Sequence, residues 1–158
     1  MSCPRIGGSH FGNTTLGRTG DLPLGVHPAS LQEILDRFAV GPAQRIAVGL
    51  RLERIYAVAR ATGHLRRFVV FGSFVTAKEE PNDVDVFLIM EDTFDPALLA
   101  RETQRLFDHT TAQAQFGASI FWFRLLACLE GEQAAIEYWQ VKRGGGSRGI
   151  IEIIGEKP

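Results

Sequence analysis

FVVFGSFVTAKEEPNDVDVFLIME, residues 68–91, is the stretch that decides the fold of this chain. An apolar run, Phe68 to Phe71, stops at Gly72-Ser73, and a second apolar run, 86–90, follows Asp83-Val84-Asp85. Short apolar runs bounded by small and polar residues are typical of buried strands. The stretch therefore predicts a strand, a turn of small residues, and a second strand that carries two carboxylates at its start.

Asp83 and Asp85 stand two positions apart at the beginning of the second strand. Side chains at i and i+2 of a strand point the same way, so both carboxylates should project from one face at one end of that strand. Two acids at this separation repel each other unless a cation lies between them. Carboxylate oxygens suit Mg²⁺ or Mn²⁺, which take one or two carboxylates together with phosphate oxygens and water.

Gly72 and Ser73 end the first strand. Glycine lets the backbone approach a ligand closely, and the Ser73 hydroxyl stands where the chain is able to enter a helix, whose free N–H groups favour phosphate. One half of the stretch is thus expected to hold phosphates and the other half a metal ion.

The order of these parts resembles the signature of the nucleotidyltransferase superfamily of the DNA polymerase beta type: an apolar strand, Gly-Ser, a spacer, and Asp-x-Asp in an apolar strand. Two further segments, GDLPLGVHPASLQEIL (20–35) and WQVKRGGGSRGIIEI (139–153), resemble a family of small, uncharacterised bacterial proteins with the same core. The resemblance implies transfer of a nucleoside monophosphate from a nucleoside triphosphate to an acceptor. Gly72 and Ser73 would hold the β- and γ-phosphates, and Asp83 and Asp85 would be the catalytic carboxylates that hold Mg²⁺ or Mn²⁺.

The resemblance does not identify the acceptor, which is left open between protein and RNA. The resemblance also implies a partner protein, beside which such minimal forms often act, and a homo-oligomer is the alternative for this chain. In the resembling fold, a third strand beside the Asp-x-Asp strand usually supplies a third carboxylate. Residues 117–125, GASIFWFRL, predict that strand, but Ser119 stands where the acid is expected. Other acids that would take this role are Asp108, Glu130 and Glu137.

The remaining segments predict an α/β (α+β) domain in which helices pack against a small mixed sheet. Residues 1–20 have few apolar residues and no periodicity, so we expect a disordered or loosely attached arm before a single domain of residues 21–158. Helices are predicted after the Ser30–Glu33 capping box, from Gly41-Pro42 to about Ala61, and from Asp95-Pro96 to about Phe107. Tyr56 and the arginines of the second helix are expected on its flanks. An extended lead-in is predicted at 21–28, and a hairpin at 136–154.

Lys142, Arg143 and Arg148 cluster about the turn of that predicted hairpin. We interpret them as a solvated turn, with contact to triphosphate, nucleic acid or a partner as the alternative. Trp122 and Phe123 are interpreted as core residues, with a pocket for a flat ring as the alternative.

Whole-chain composition limits the function classes. A net charge of −1 over 158 residues argues against a strong, sequence-independent grip on nucleic acid. No apolar run is long enough to span a membrane, and the first residues lack the apolar core of a secretory signal, so we expect a cytoplasmic protein. The alternatives to an active transferase are a catalytically impaired nucleotide-binding or partner-binding module with the same fold and, less favoured, a metal-dependent phosphate hydrolase.

Overall fold

A mixed five-stranded sheet forms the centre of the computed structural model, which describes residues 11 and 14–155. The strand order is β1-β5-β2-β3-β4. The strands are β1 (Val26–Ala29), β2 (Leu65–Phe71), β3 (Val84–Met90), β4 (Ala118–Arg124) and β5 (Ile150–Ile153). Helices pack against this sheet, so the predicted α+β class is confirmed.

The pairing of the strands brings distant parts of the sequence to one end of the sheet. β2 is antiparallel to both β3 and β5, whereas β4 runs parallel to β3 and β1 runs parallel to β5. Consequently, the end of β2 lies at the same edge as the beginnings of the other four strands. We call this edge, where Phe71, Val84 and Ala118 lie, the site end of the sheet.

Helices cover both faces of the sheet unequally. Within the described residues there are five α-helices: α1 (Leu31–Phe38), α2 (Ala43–Ala61), α3 (Arg101–Gln104), α4 (His109–Phe116) and α5 (Glu132–Glu137). One face packs against α1, α2 and α4 in the larger apolar cluster. The other face carries a smaller cluster, in which Phe87 and Ile150 pack with Ile136 of α5 and with Trp139.

Two of the predicted helices form where the sequence places them. Ser30 caps α1 by accepting from the Glu33 amide at 3.1 Å, while the Glu33 carboxylate accepts from the Ser30 amide at 3.0 Å, which completes the capping box. α2 begins after Pro42, which occupies the capping position, and Gly63 follows its end in a left-handed conformation (φ +76°).

Two predictions for the remaining elements are wrong. The predicted hairpin at 136–154 is instead helix α5, a single bridge between Val141 and Ser147, and strand β5, which is inserted between β1 and β2. The predicted helix at 95–107 is divided into 3-10 turns (Pro96–Leu98, Arg105–Phe107) and the short α3. The extended lead-in at 21–28 agrees with the structure, since its last residues, from Val26 on, belong to the paired strand β1.

The expectation of a disordered arm needs correction for Phe11 and residues 14–20. Phe11 is only 3% exposed and its ring lies 6.2 Å from that of Phe38. The Arg37 guanidinium donates to the carbonyl oxygens of Phe11, at 2.9 Å, and of Thr14. Backbone hydrogen bonding also joins Gly20 to Ala77. This segment is therefore packed on the domain, while residues 1–10, 12 and 13 of the predicted arm lie outside the described residues.

Candidate functional site

The four residues singled out by the sequence lie at the site end of the sheet. Phe71, the last residue of β2, is paired with Asp85 of β3, so Gly72 and Ser73 leave the sheet beside Asp83 and Asp85. The sequence shows only the order of these residues along the chain. The antiparallel pairing of β2 with β3 is what brings the Gly-Ser turn and the two carboxylates together.

Gly72 lies directly against Asp85. Its backbone has φ +82°, and a Cβ built on it would lie 1.9 Å from the Asp85 Oδ2 atom. Any side chain at Gly72 would therefore displace the carboxylate, apart from the strain of a left-handed conformation. The residues that follow form a 3-10 turn of only three residues, Ser73–Val75. The phosphate-binding helix suggested by the sequence is thus reduced to this turn.

Asp85 is held in an environment that disfavours its charge. Its pKa is raised to about 6, mainly because the carboxyl group is buried and secondly because Asp83 is close. A hydrogen bond from Ser119 and the charges of Arg148 and Arg143 act in the opposite direction without offsetting the rise. A cation placed beside Asp83 and Asp85 would offset both the energetic cost of burying the Asp85 charge and the repulsion between the two carboxylates.

Strand β4 lies beside β3, as the resemblance implied, and Ser119 is paired with Asp85. The position expected for a third carboxylate therefore carries a hydroxyl group, which lies beside Asp85 and acts to lower its pKa. Asp108 instead caps α4 by accepting from the Thr111 amide at 2.9 Å. Across the part of the chain that the structure describes, no group of three or more His, Cys, Asp or Glu side chains is placed to hold a metal ion.

The donors at this site are all oxygen atoms. Asp83 and Asp85 supply carboxylates, and the Ser119 hydroxyl lies beside Asp85. Such a set fits Mg²⁺ or Mn²⁺, which complete their coordination with water and phosphate oxygens, and lacks the nitrogen and sulfur ligands that zinc prefers. The donor set therefore fits a metal that arrives together with phosphates.

A buried arginine that the sequence analysis placed on a helix flank supports the loop after Gly72. Arg45 is 7% exposed, and its guanidinium donates to the carbonyl oxygens of Phe38, Phe74 and Thr76 at 2.6–3.1 Å and also to that of Lys78. Because four carbonyls share one cation, the chain from Phe74 to Lys78 is fixed against α2. The signal in the sequence was an arginine within the apolar stripe of α2, one turn before Gly49. Tyr56 is likewise buried rather than on a flank.

The basic residues of the tail also affect the site electrostatically, a contribution that the sequence analysis did not favour. Arg143 and Arg148 both influence Asp85 electrostatically, and Lys142 and Arg148 pair with Asp21. The topology explains this arrangement: β5 begins at the site end, so the turn that precedes it lies there too. The predicted hairpin at 136–154 would not have indicated that this turn lies at the site end of the sheet.

The two aromatic residues of β4 point to opposite faces of the sheet. Trp122 packs in the larger apolar cluster, where its Nε1 donates to the Phe107 carbonyl oxygen at 2.9 Å. Phe123 is 49% exposed on the other face, with its ring 5.7 Å from that of Phe87. They do not form one pocket together, and the core interpretation holds for Trp122 alone.

Comparison with known proteins gives a family and no described relative. A family model matches residues 15–154, and its description is "Family of unknown function (DUF6932)". No curated protein and no solved structure matches the chain. Among the described residues, no helix is both long enough and apolar enough to cross a membrane.

Proposed function

We propose that this chain, which belongs to the DUF6932 family of unknown function, is a nucleotidyltransferase that uses Mg²⁺ or Mn²⁺ and a nucleoside triphosphate. The observation that carries the proposal is the contact between Gly72 and Asp85, where a Cβ on the glycine would lie 1.9 Å from the carboxylate oxygen. A turn able to approach phosphates and a pair of carboxylates able to hold a metal thus share one surface. This is the arrangement that the resemblance to the nucleotidyltransferase superfamily implies.

In this proposal, each part of the site has a separate task. The backbone of Gly72 and the Ser73 hydroxyl bind the β- and γ-phosphates, and Asp83 and Asp85 hold the metal ion. When bound, the metal neutralises the phosphates and orients them for in-line displacement. Arg45 keeps the loop after Gly72 in place through the carbonyls of Phe74, Thr76 and Lys78.

The transfer itself exchanges one phosphorus–oxygen bond for another. A hydroxyl oxygen of the acceptor bonds to the α-phosphorus, the bond from that phosphorus to the bridging oxygen of the β-phosphate breaks, and pyrophosphate leaves. The acceptor proton passes to water, since Ser119 stands where a third carboxylate would accept it. The acceptor, a protein or an RNA, can belong to a partner or to a second copy of this chain. We place the reaction in the bacterial cytoplasm, where nucleoside triphosphates and Mg²⁺ are available.

Ser119 specifically favours a second candidate, a nucleotide-binding or partner-binding module with impaired catalysis. Its hydroxyl occupies the register position opposite Asp85 and cannot act as a general base at neutral pH. General-base assistance typically contributes 10²- to 10⁴-fold in rate, so its loss is able to suppress transfer while binding persists.

Two measurements test the proposal. Calorimetry should show that triphosphate affinity requires a divalent cation and falls in Asp83→Ala and Asp85→Ala, with Glu53→Ala, an exposed residue of α2, as the control. Equal affinity with chelator, or in both variants, removes the metal site from the account. Second, incubation with α-³²P-labelled nucleotides, Mg²⁺ or Mn²⁺ and host lysate should label a macromolecule, which protease or ribonuclease treatment then identifies.

The labelling outcome separates the candidates. A labelled product that disappears in Asp83→Ala supports the transferase. Metal-dependent binding without label supports the impaired module. Release of monophosphate or inorganic phosphate without a labelled acceptor would instead indicate a hydrolase and overturn both.

A further inference from the structure

The segment from Lys142 to Arg148, KRGGGSR, forms a closed turn at the site end of the sheet. The Lys142 amide donates to the Gly146 carbonyl at 3.0 Å, the Gly145 amide donates to the Lys142 carbonyl at 3.2 Å, and Val141 is bridged to Ser147. We call this segment the basic turn. These backbone hydrogen bonds fix the Cα positions from which its cationic side chains extend.

A buried carboxylate anchors two of these cations. Asp21, 9% exposed, pairs with Lys142 and lies 3.6 Å from the Arg148 guanidinium. Burial alone would raise the pKa of Asp21, but hydrogen bonds from Lys142 and Thr19 outweigh it and hold the pKa below its usual value. Arg143 makes no ion pair with any described residue. Asp21 therefore pairs with two of the three cations of the basic turn, and the turn keeps an excess of positive charge.

The strand register directs that charge toward the candidate site. β5 is antiparallel to β2, with Val70 opposite Ile151, so the residues just before β5 lie at the same edge of the sheet as the Gly72-Ser73 turn that follows β2. Ile150 packs in the same cluster as Phe87, on the face to which Asp85 also points. Arg148 lies two residues before Ile150, just outside β5. The electrostatic influence of Arg143 and Arg148 on Asp85 agrees with this placement.

Charge balance decides between a solvated turn and a ligand site. A divalent metal neutralises Asp83 and Asp85, so the charge of an incoming triphosphate has to be met by other groups. The Ser73–Val75 turn offers a hydroxyl and few backbone N–H groups and no cation. The basic turn provides guanidinium groups, which bind phosphate oxygens bidentately, at the same edge.

We propose that Arg143 and Arg148 bind the terminal phosphates of the metal-bound triphosphate, opposite the Gly72-Ser73 turn. The proposal deepens the proposed function and rests on it, because it assigns the polyphosphate contacts of the same site. Arg143 is the free member of the pair. Arg148 is held in place by Asp21 until phosphate arrives.

The test uses Arg143→Gln and Arg148→Gln in the full-length protein with two probes. The affinity for inorganic tripolyphosphate or ATP, each with Mg²⁺, should fall about tenfold in each variant, because each loses a charge-assisted hydrogen bond. The affinity for free Mn²⁺ alone, followed by electron paramagnetic resonance, should rise, because a cation beside Asp85 is removed. The control is Arg60→Gln, whose exposed side chain lies at the opposite end of the sheet with Gly63 and Leu65.

The opposite directions of the two effects distinguish binding from folding. If both probes bind more weakly in the variants and the melting temperature falls, the basic turn has a structural role and the inference is overturned. If triphosphate binding is unchanged in both variants but is lost in Asp83→Ala, the proposed function stands and the inference fails. If Asp83→Ala and Asp85→Ala also bind normally, the proposed function fails as well.

Discussion

Burial of the Asp85 carboxyl group lowers the stability of the folded protein at neutral pH, at a residue that we propose to bind a metal ion. The pKa of this group is raised to about 6. The folded protein therefore holds the proton more tightly than the unfolded chain, whose aspartates titrate near about 3.9. Below about pH 4 the group is protonated in both states and does not affect the free energy of unfolding. That free energy falls as the pH rises from about 4 to 6, and the loss is complete above that window. Such a cost is expected for a residue kept for ligand binding rather than for folding.

We therefore predict that Asp85→Asn stabilises the metal-free protein at neutral pH. Two pKa units correspond to about 2 to 3 kcal/mol, so the variant should melt several degrees higher at pH 7.5 and gain little at pH 4. Melting curves across this range, with chelator present, test the sign. Glu53→Gln, at an exposed position, should show no such trend. If Asp85→Asn is no more stable than the wild type at pH 7.5, burial of the Asp85 charge does not destabilise the folded protein.

Ser119 allows the third carboxylate to be restored directly. Since it pairs with Asp85 across β3 and β4, Ser119→Asp places an acid beside the two existing carboxylates. We expect nucleotidyl transfer to rise by about 10²-fold or more, since general-base assistance typically contributes 10²- to 10⁴-fold, without a matching gain in triphosphate affinity. The control is Ser119→Asn, since asparagine has nearly the size of aspartate but no charge.

A robustly active wild type in which Ser119→Asp is neutral or harmful would contradict that expectation. In that case another acid would supply the function, and alanine substitutions at Asp108, Glu130 and Glu137 would identify it. The capping hydrogen bond of Asp108 makes its variant informative about α4 as well.

At the scale of elements, local patterns predicted what local interactions fix. The capping box of α1, the start and end of α2, and the strands β2, β3 and β4 all follow from short sequence signals, and all are present. These successes share a cause, because caps, apolar periodicity and bounded apolar runs act within a few residues. The position of β4 beside β3, with Ser119 next to Asp85, was instead implied by the resemblance and not by a local signal.

The tail shows where that approach fails. Ile136 and Trp139 lie three residues apart and pack in the same cluster, a helical spacing that a short segment does not distinguish from a strand pattern. β5 finds its partners in β1 and β2, more than 75 residues away in sequence, so no local signal specifies them. The location of the basic turn at the site depended on that pairing and was missed with it.

The insertion of β5 requires a glycine just before it. A Cβ on Gly149 would lie 2.0 Å from the Pro23 carbonyl oxygen and 2.9 Å from the His27 Nε2 atom. We predict that Gly149→Ala forces these segments apart, costs about 1 to 3 kcal/mol by overpacking, and lowers the melting temperature by at least about 3 °C.

The matched control for this prediction lies within the basic turn. A Cβ on Gly144 has no heavy atom within 4 Å, so Gly144→Ala should leave the melting temperature nearly unchanged. If both variants melt at the same temperature, the close approach of the Pro23 carbonyl does not constrain β5.

Across the whole molecule, the segment before β1 connects parts that are distant in sequence. Phe11 packs on Phe38 of α1, the Gly20 carbonyl accepts from the Ala77 amide at 2.9 Å in the loop after Gly72, and Asp21 anchors the basic turn. The composition of residues 1–20 suggested an arm that contributes little to stability. The described part of this segment is nevertheless packed on the domain, through a buried aromatic residue and a few backbone contacts that averages over composition do not detect.

We therefore predict that Phe11→Ala destabilises the domain. Its ring is 3% exposed, lies 6.2 Å from the Phe38 ring, and has the Arg37 guanidinium 5.2 Å away. Removing a buried phenylalanine side chain typically costs about 3 kcal/mol or more, which should lower the melting temperature by about 6 to 12 °C in a chain of this size. Thermal unfolding followed by circular dichroism measures the shift. Tyr138→Ala removes an aromatic side chain that is 67% exposed and should change it by less than about 2 °C. Equal, small shifts in both variants would mean that Phe11 is not docked in solution and that the arm is loose, as its composition suggested.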